Sequence, residues 1–396
     1  MGMPDHILVL NTGSSSIKYE LVDPRTRARS AKGLVERIGQ EQGRLTHRTG
    51  DGPPYVRDRP FPGHHEGLEA MMEAFAEAGP KLAPTAVGHR VVHGGERFAE
   101  AVLIDDEVIA AIEELAPLAP LHNPVNLTGI RLAREVFPGV PQVAVFDTAF
   151  HRTLPPEAYT YAVPREWRER GVRRFGFHGT SYAYVSRRAA ALLGRDLAEL
   201  NLIVLHLGNG ASATAISGGR SVDTSMGMTP LEGLVMGTRS GDVDPAVGGY
   251  LARSDGLDAE QVEHALSHRG GLLALTGSSD MRQVRARDDD EARLALDVYT
   301  RRIRKYVGAY YALLGRVDAI VFTGGVGEHD AATRAESLAG LERLGIAVDA
   351  GLNAAASGEE RAVSPPGAEV PVLVVPTDEE GEIAGQTLAT LTADPS

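Results

Sequence analysis

The sequence contains no cysteine among its 396 residues, and this absence removes several kinds of chemistry at once. Disulfide bonds, thiolate nucleophiles, zinc ribbons and iron–sulfur clusters all need cysteine, so none of them is expected. A long apolar run is also lacking, because the longest stretch without a formal charge, residues 200–219, carries Asn201, His206 and Asn209. No membrane-spanning helix is therefore expected.

Basic residues are scarce relative to acidic ones, with 40 Lys plus Arg against 53 Asp plus Glu and a formal net charge of −13. This balance argues against nucleic acid or an anionic membrane as a partner. Residues 1–6 lack a basic region followed by an apolar stretch, so no signal peptide is expected and a cytoplasmic location is predicted. The length and the 43% of hydrophobic residues predict a globular chain of two domains.

Two segments about half the chain apart repeat one pattern of strand, small-residue turn and strand. Residues 7–10 lead into the turn 11–16 and the strand 17–22, and residues 202–205 lead into the turn 206–212 and the strand 213–216. With Gly13 aligned to Gly208, the offset is 195 residues. The match predicts an internal duplication.

Strands and helices alternate between these segments, which predicts an α/β architecture in layers. Strands are expected at residues 86–93, 142–146 and 319–322, and helices at 106–115 and 291–314. The longer helix is predicted to bury Leu294, Val298, Ile303, Tyr306, Val307 and Tyr310. Residues 39–63 are polar and rich in Gly, Pro and Arg, so a surface excursion is expected there.

Three turns of small residues are candidates for phosphate binding. They are residues 11–16, residues 208–212 and the glycine loop 323–327, which follows a predicted strand. None has the spacing of a Walker or Rossmann motif. Each turn alone is as typical of an ordinary hairpin, but backbone N–H groups and hydroxyls at three turns favour phosphate oxygens as ligands.

Two arginines and two histidines stand in loops where they are candidates for a cleft. Arg90 and Arg239 are flanked by glycines and apolar residues, a setting that fits either a salt bridge or a group reaching into a cleft. His122 and His178 also lie in predicted loops, where a single histidine is more often structural than catalytic.

Carboxylates form a second group of candidates. Asp147 follows the strand 142–146, and Glu379 and Glu380 stand at the predicted start of a helix. Acidic residues at a helix start are favourable with the helix dipole. Beside phosphate turns they are equally suited to Mg²⁺, which takes one or two protein carboxylates.

The sequence resembles the acetate kinase family in six ordered blocks, namely residues 11–18, 89–95, 146–151, 176–181, 206–210 and 236–242. The resemblance covers the chain from residue 7 to about 385. It implies an α/β fold made of a duplicated ribonuclease H-like (actin-like ATPase) unit, with two domains and a nucleotide cleft between them. The implied domains are 1–148, completed by 384–396, and 149–383 with the nucleotide site and the dimer interface.

The resemblance also implies an activity, which is reversible, Mg²⁺-dependent phosphoryl transfer between ATP and acetate by direct in-line transfer. The products are acetyl phosphate and ADP, and Mn²⁺ is expected to substitute for Mg²⁺. A homodimer joined mainly through the second domain is implied, with no nucleic-acid or membrane partner.

By the same resemblance, the catalytic residues are Arg90, Asp147, His178 and Arg239, and the metal ligands are Asn11 and Glu379. The acyl substrate is expected to bind at Arg90, Val92, Leu121, His122, Phe177 and Pro230. The nucleotide is expected to contact Ser14, Ser16, Lys18, His206, Leu207, Gly208, Asn209, Gly210, Asp280, Met281, Arg282, Gly325, Val326, Gly327, Glu328 and His329.

The chemistry of the reaction narrows the role of Asp147. A migrating phosphoryl group needs positioned cations and donors, and arginine forks suit both carboxylate and phosphate oxygens. Acetate is already ionised at pH 7, so it needs no general base. Asp147 is therefore predicted to orient a cation or an arginine instead of accepting a proton.

Three positions depart from the family pattern, with His329 and Asp378 where Asn is usual and Tyr182 where His is frequent. His329 leaves the nucleotide preference open. A propionate or butyrate kinase of the same family differs chiefly in pocket size and stays an alternative. A sugar kinase would carry Asp where Asn11 stands, and an actin- or Hsp70-like ATPase is the more distant reading.

Overall fold

The computed structural model describes residues 6–393 and divides into two compact units. Unit 1 runs to Phe150 and resumes at Asp378, and unit 2 is His151–Thr377. The domain limits 1–148 with 384–396, and 149–383, stay a prediction. The segment 1–5, where no targeting signal is expected, and residues 394–396 lie outside the described residues.

The first part of unit 1 holds eight strands and three helices. The strands are β1 (Ile7–Gly13), β2 (Ser16–Val22), β3 (Arg29–Glu36), β4 (Gly43–Arg48), β5 (Tyr55–Arg59), β6 (Ala86–Val91), β7 (Val102–Leu103) and β8 (Gln142–Phe146). The helices are α1 (His64–Ala78), α2 (Asp106–Glu114) and α3 (Asn123–Val136). The strands form one sheet in the order β5-β4-β3-β2-β1-β6-β8-β7, in which β1, β6 and β8 are parallel neighbours.

Unit 2 is built around a six-stranded sheet. Its strands are β9 (Asn201–Leu207), β10 (Ala211–Ser217), β11 (Arg220–Thr224), β12 (Ala319–Thr323), β13 (Arg361–Ala362) and β14 (Val372–Val374), in the order β11-β10-β9-β12-β14-β13. Its helices are α4 (Pro156–Tyr159), α5 (Arg165–Arg168), α6 (Gly179–Leu193), α7 (Ala246–Ser254), α8 (Ala259–His268), α9 (Gly271–Thr276), α10 (Met281–Arg285), α11 (Asp290–Leu314), α12 (Gly324–His329), α13 (Ala331–Leu338) and α14 (Ala350–Ala354).

The chain then returns to unit 1 as α15 (Glu379–Thr392). This helix covers one face of the first sheet, where Ile383 and Ala384 pack with Ile7, Val9 and Val145. Helices α1 and α3 cover the other face. With both faces covered, β1 is buried along its apolar run, as is usual for strands that lie at the centre of a parallel sheet.

The two sheets share one topology, which confirms the predicted duplicated α/β fold. In each, a first strand pairs antiparallel with the second and parallel with a strand that arrives later in the chain. Thus β3-β2-β1-β6-β8 corresponds to β11-β10-β9-β12-β14. The paired glycine turns of the sequence repeat are the β1–β2 and β9–β10 hairpins.

Two local expectations are wrong. Residues 39–63 are not a plain excursion, because β4 and β5 extend the first sheet there. Arg44 and Arg48 are exposed on β4, and the consecutive residues 57–59 are charged and exposed on β5. In α11, Leu294 is 58% exposed, and the buried side is formed instead by Ala292, Ala295 and Tyr299 together with the more C-terminal positions Ile303, Val307 and Tyr310. No helix among residues 6–393 combines the length and the apolar character that crossing a bilayer requires.

Candidate active site

The carboxyl ends of three neighbouring strands in unit 1 bring together Asn11, Arg90 and Asp147. Leu10 of β1 pairs with His89 of β6, and Val91 of β6 pairs with Phe146 of β8. Asn11 and Arg90 therefore lie side by side, and Asp147 follows directly after β8. The backbone of Asp147 is anchored by its N–H, which donates to the carbonyl of Val91 at 3.0 Å.

Arg90 and Asp147 form a forked ion pair in which Asp147 is buried and Arg90 is half-buried. The Arg90 Nη2 donates to Asp147 Oδ2 at 2.6 Å, and Nε donates to Oδ1 at 3.0 Å and to Oδ2 at 3.1 Å. Arg90 Nη1 also donates to Asn11 Oδ1 at 3.3 Å. Although burial disfavours the charged guanidinium, Asp147 and Glu379 raise the pKa of Arg90, so it stays a cation. The Asp147 side chain, 1% exposed, has this arginine as its counter-charge.

Glu379, the first residue of α15, lies in the same electrostatic field. Burial raises the pKa of the Glu379 carboxyl to about 7, with Arg90 opposing the rise and the neighbouring Asp147 and Glu380 adding to it. Burial is thus the main reason why the ionised form of this carboxyl is disfavoured. Asp378, where the family usually has Asn, caps α15 by accepting from the Gly381 N–H at 3.0 Å and pairs with Arg29.

The β1–β2 turn is held from behind by α3. Asn126 accepts from the Val92 N–H at 3.0 Å and donates to the Thr12 carbonyl at 2.7 Å, so one amide side chain fixes the turn and the end of β6 together. Ser14 lies exposed at the tip and Ser16 is half-buried at the start of β2. Asn126 was not among the sequence candidates. Two asparagines in the first turns of a helix, Asn123 and Asn126, are the signal that was available.

The remaining predicted residues of unit 1 differ in exposure. Lys18 is 46% exposed at its side chain and its Nζ lies 2.6 Å from Glu380 Oε1, so its charge is held next to the turn. Val92 is buried, whereas Leu121 is 51% exposed. His122 is half-buried just before α3.

In unit 2, His178 stands at the N-terminus of α6 with a left-handed backbone, at φ 60°. Its Nδ1 lies 2.8 Å from the Ser212 hydroxyl of β10, and that hydroxyl lies 2.5 Å from the hydroxyl of Tyr182. Ser212 and Tyr182 are fully buried. Tyr182, noted in the sequence only as a departure from the family, thereby contacts the partner of a predicted catalytic histidine.

His206 of β9 lies against His178, with ring centroids 4.2 Å apart and planes 23° from parallel. Its Nδ1 lies 2.8 Å from the Ser181 hydroxyl, which is 2.8 Å from the Thr377 hydroxyl. Each histidine is thus held by a serine. The serines gave no sequence signal of their own.

Arg239 lies in the loop between β11 and α7 and approaches the β9–β10 turn, which contains Gly210. Its Nη1 donates to the Pro230 carbonyl at 3.0 Å. A methyl group placed on Gly210 would lie 3.4 Å from Arg239 Nη1 and 3.5 Å from His178 Nε2. The guanidinium and the imidazole therefore converge over the backbone of this glycine. Phe177 is buried directly before His178, and Pro230 is half-buried.

A cavity of about 620 Å³ in unit 2 collects half of the predicted nucleotide residues. Those lining it are Gly208, Asn209, Asp280, Met281, Arg282, Gly325, Val326 and His329. The wall is completed by residues that the sequence did not single out, namely Gly237, Leu272, Ser279, Arg285, Tyr299 and Asp330. A cavity of this size suits a small-molecule ligand.

The other predicted nucleotide residues of unit 2 lie beside the cavity without lining it. Leu207 ends β9 and is buried, and a methyl group on Gly324, whose φ is +76°, would lie 2.8 Å from the Leu207 carbonyl. Only glycine fits there, so the chain turns tightly from β12 into α12. Gly327 and Glu328 belong to α12. Glu328 Oε1 accepts from the Gly324 N–H at 2.9 Å and the Thr377 N–H at 3.1 Å, a structural role.

Known proteins resemble this chain along nearly its whole length. The model of the acetokinase family matches residues 6–385. The acetate kinase of Streptomyces griseus subsp. griseus is 56% identical over 398 residues, which covers 98% of this chain and 96% of that protein. The acetate kinase of Clavibacter michiganensis subsp. michiganensis is 57% identical over 390 residues, covering 97% and 98%.

Solved structures give the same result. The crystal structure of Porphyromonas gingivalis acetate kinase matches with a TM-score of 0.92 and 44% identity, covering 98% of this chain and 100% of that one. The structure of a propionate kinase from Francisella tularensis subsp. tularensis also matches with a TM-score of 0.92, at 39% identity, covering 97% and 99%.

Proposed function

The chain belongs to the acetokinase family, and from this membership we propose that it transfers a phosphoryl group reversibly between ATP and acetate. The products are ADP and acetyl phosphate. The family makes the chain an enzyme of the kinase class, with ATP as the implied co-substrate. The individual roles of its residues are argued below from the two units in turn.

The observation that carries the proposal is the fork of Arg90. The Nε and one Nη2 hydrogen are engaged by Asp147, and one Nη1 hydrogen reaches Asn11. A guanidinium has five N–H donors, so these contacts leave one hydrogen on each terminal nitrogen for a ligand. Two parallel donors on one edge match the two oxygens of a carboxylate or a phosphoryl group. We assign this edge to acetate and acetyl phosphate.

Asp147 then acts by holding Arg90. Its two oxygens are occupied by arginine N–H groups, and acetate brings no proton that must be removed at neutral pH. A buried carboxylate with an arginine fork fixes the guanidinium plane, which is what a bidentate substrate contact requires.

In unit 2, His178 and Arg239 supply donors for the migrating phosphoryl group. Its charge is spread over three equatorial oxygens, and preorganised N–H donors and a fixed cation stabilise that distribution. The convergence of Arg239 Nη1 and His178 Nε2 over Gly210 supports this role. Neither group has to form a covalent bond to the phosphorus.

Asn11 and Glu379 fit a Mg²⁺ ion by the chemistry of the set. Burial raises the pKa of Glu379 although Arg90 and Lys18 oppose the rise, so a bound cation would stabilise its carboxylate, and Asn11 offers an amide oxygen that contacts the same Arg90. Mg²⁺ commonly takes one or two protein oxygens and completes its shell with water and phosphate. When bound, the ion neutralises charge on the nucleotide phosphates. Mn²⁺ has similar ligand preferences and is expected to substitute.

The 620 Å³ cavity is the proposed nucleoside site. Asp280 caps α10 by accepting from the Arg282 N–H at 2.9 Å, which fixes the segment that carries Met281. His329, in place of the usual Asn, lies at the rim with an exposed side chain. Lys18, Ser14 and Ser16 are proposed to approach the phosphates from the β1–β2 turn.

Substrate size tests the acetate assignment against the propionate alternative, which the Francisella propionate kinase structure keeps open. A hydroxamate assay with ATP, Mg²⁺ and formate, acetate, propionate or butyrate gives kcat/KM for each acid. If Val92, Leu121, Phe177 and Pro230 close on one methyl group, an added methylene costs about 1–3 kcal/mol, or roughly 10- to 200-fold.

Acetate is expected to lead, with propionate second and butyrate nearly inert. Val92→Ala is expected to reduce the difference in kcat/KM between acetate and the longer acids, mainly by lowering the KM of the longer acids. A wild-type preference for propionate or butyrate would favour the sister kinase, and equal rates would show that these four residues do not set specificity.

A homodimer formed mainly through unit 2 remains part of the proposal. Its exposed apolar side chains Val243 and Tyr250, 44% and 63% exposed, are compatible with such an interface. Light scattering at micromolar concentration is expected to give twice the 42.1 kDa chain mass. A mass near one chain would count against it. A cytoplasmic location stays a prediction.

A further inference from the structure

We propose that Tyr182 and Ser212 form a hydrogen-bond relay that holds His178 neutral, with its single ring proton on Nε2. The relay would make Tyr182 and Ser212 positioning residues for the phosphoryl transfer proposed above, and its catalytic meaning rests on that proposed function. The three groups come from two elements: His178 and Tyr182 from the start of α6, and Ser212 from β10.

The distances define a chain of two hydrogen bonds. The Tyr182 hydroxyl lies 2.5 Å from Ser212 Oγ, and Ser212 Oγ lies 2.8 Å from His178 Nδ1. One helical turn fixes the outer members relative to each other, because the Tyr182 N–H donates to the His178 carbonyl at 3.0 Å. Ser212 is fixed by its register opposite His206 in the β9–β10 pair. All three positions are set by regular secondary structure.

The direction of the chain follows from the acidity of its members. The Tyr182–Ser212 distance alone allows either hydroxyl to donate, and Thr214 is a second hydroxyl partner of Tyr182. A phenol is a stronger acid than an alcohol, so the relay assigns the phenol as the donor to Ser212 and the serine oxygen as the acceptor. Burial raises the pKa of Tyr182, so its proton is retained throughout the working pH range. The Ser212 hydroxyl hydrogen is then directed at His178 Nδ1. A nitrogen that accepts a hydrogen bond carries no proton, so the ring proton is on Nε2.

This tautomer puts a donor where the reaction needs one. His178 Nε2 is the ring atom that faces Gly210, next to Arg239 Nη1. A neutral imidazole with Nε2–H can donate to a phosphoryl oxygen without adding a titrating charge. The opposite tautomer would present a lone pair to the same oxygen and repel it.

Groups from several elements surround the relay, and the Tyr182 hydroxyl also hydrogen-bonds the Thr214 side chain of β10 and the backbone of His206. From β9, His206 stacks on the His178 ring, and from the loop before α7 Arg239 adds a fixed positive charge beside it. The positive charge of Arg239 opposes protonation of His178.

Two further side chains face Tyr182. The ring of His151 lies edge-on to the Tyr182 ring, with centroids 5.5 Å apart, and Tyr310 of α11 is close enough to interact with Tyr182 electrostatically. Burial lowers the pKa of His151 to about 4, so it is neutral in the working range.

The first test reads the tautomer directly and does not depend on activity. In the full-length protein labelled with ¹⁵N-histidine, the shifts of the two ring nitrogens distinguish protonated from unprotonated nitrogen. The His178→Gln spectrum assigns the resonances. We expect an unprotonated Nδ1 and a protonated Nε2 in the wild type at pH 7.5. A protonated Nδ1 would overturn the relay whatever the enzyme's substrate proves to be.

The second test uses Tyr182→Phe, which removes the first donor and leaves Ser212 free to accept from Nδ1. The fraction of the Nε2–H tautomer should fall, and the proton affinity of His178 should rise about threefold to tenfold. At pH 8 kcat should drop about fivefold to tenfold, with the KM values for ATP and acetate changed less than twofold. On acidification the kcat ratio to wild type should approach one, because an imidazolium carries Nε2–H in any case.

Tyr310→Phe is the matched control, since Tyr310 is also a buried tyrosine of unit 2 and lies outside the relay. It should leave the tautomer and the pH profile of kcat unchanged. A Tyr182→Phe deficit that is constant with pH, or an unaltered tautomer, would show that Tyr182 only packs. If wild-type turnover with acetate failed while the tautomer was as expected, the proposed function and not the relay would be refuted.

Discussion

Replacing Asp147 by Asn tests whether this carboxylate orients an arginine or accepts a proton. Asparagine keeps the shape and one acceptor oxygen, but it removes the charge and turns an NH₂ group toward the N–H groups of Arg90. The wild-type pair has contacts of 2.6, 3.0 and 3.1 Å. The substitution therefore removes about one or two charge-assisted hydrogen bonds, each worth about 1.5–3 kcal/mol.

A loss of about 2–4 kcal/mol corresponds to roughly 30- to 700-fold in kcat/KM, since 1.4 kcal/mol is a factor of ten. Both reaction directions should suffer equally, because the same arginine edge serves acetate and acetyl phosphate. The hydroxamate assay measures one direction, and ATP formation from acetyl phosphate and ADP measures the other. The shape of the pH–rate profile should be the same in wild type and variant.

Asp58→Asn is the matched control, because Asp58 accepts a similar fork from Arg44 at 2.7 and 3.0 Å on the exposed edge of the same sheet. Such an exposed pair contributes little, so activity and melting temperature should be unchanged. The orienting role of Asp147 would be refuted by near wild-type turnover in Asp147→Asn. A wild-type basic group in the pH–rate profile that disappears in the variant would instead identify Asp147 as a proton acceptor.

Three further outcomes are expected. Arg239→Ala should lower kcat by roughly a hundredfold or more with little change in melting temperature, and retention of turnover would remove it from the site. Activity should vanish on chelation and return with Mg²⁺ or Mn²⁺, and Glu379→Gln should raise the Mg²⁺ concentration needed for half-maximal rate; a metal-independent rate would contradict the metal site. Stability should fall as the pH drops from about 6.5 to about 4, because burial lowers the pKa of His89 and of His151 to about 4 in the folded state, while the unfolded chain takes up protons near 6.5. Each histidine lowers stability by up to about 3 kcal/mol on this acidification, and the raised pKa of Glu379 opposes the fall. Denaturant unfolding at pH 7.5 and 4.5 measures the change, and His89→Gln and His151→Gln should each make it less destabilising; a change that is the same in wild type and in both variants would show that neither histidine is buried neutral.

The duplicated architecture was predictable because its signal is local. Apolar strands and glycine-rich turns around Gly13 and Gly208 are written in adjacent residues, and so are the strand at 142–146 and the limits of α11. The failures have a common cause. Strand β5 is the exposed edge of the sheet with three consecutive charged residues, and its neighbour β4 has Leu45 as its one large apolar side chain, so the two strands show no clear hydrophobic pattern in the sequence.

The predicted burial of Leu294 was wrong for a related reason. Helical periodicity is compatible with two or three buried faces, and tertiary packing decides which of them is buried. The side chains that support the site were harder still to predict from the sequence. Ser212 and Asn126 hold His178 and the β1–β2 turn from 34 and 114 residues away in the chain. Nothing in the local sequence distinguishes such a serine from one on any surface, and for Asn126 the local signal was limited to the pair of asparagines at the start of α3.

The return of the chain to unit 1 through α15 sets an order of assembly. Unit 2 is one continuous segment and can be complete on the ribosome before unit 1, which waits for the residues from Asp378 onward. Until α15 arrives, one face of the first sheet leaves Ile7, Val9 and Val145 uncovered. The same helix carries Glu379, so a prematurely terminated chain would lack both the cover of its core and the proposed metal ligand. Truncated products should therefore be inactive and readily recognised by chaperones and proteases.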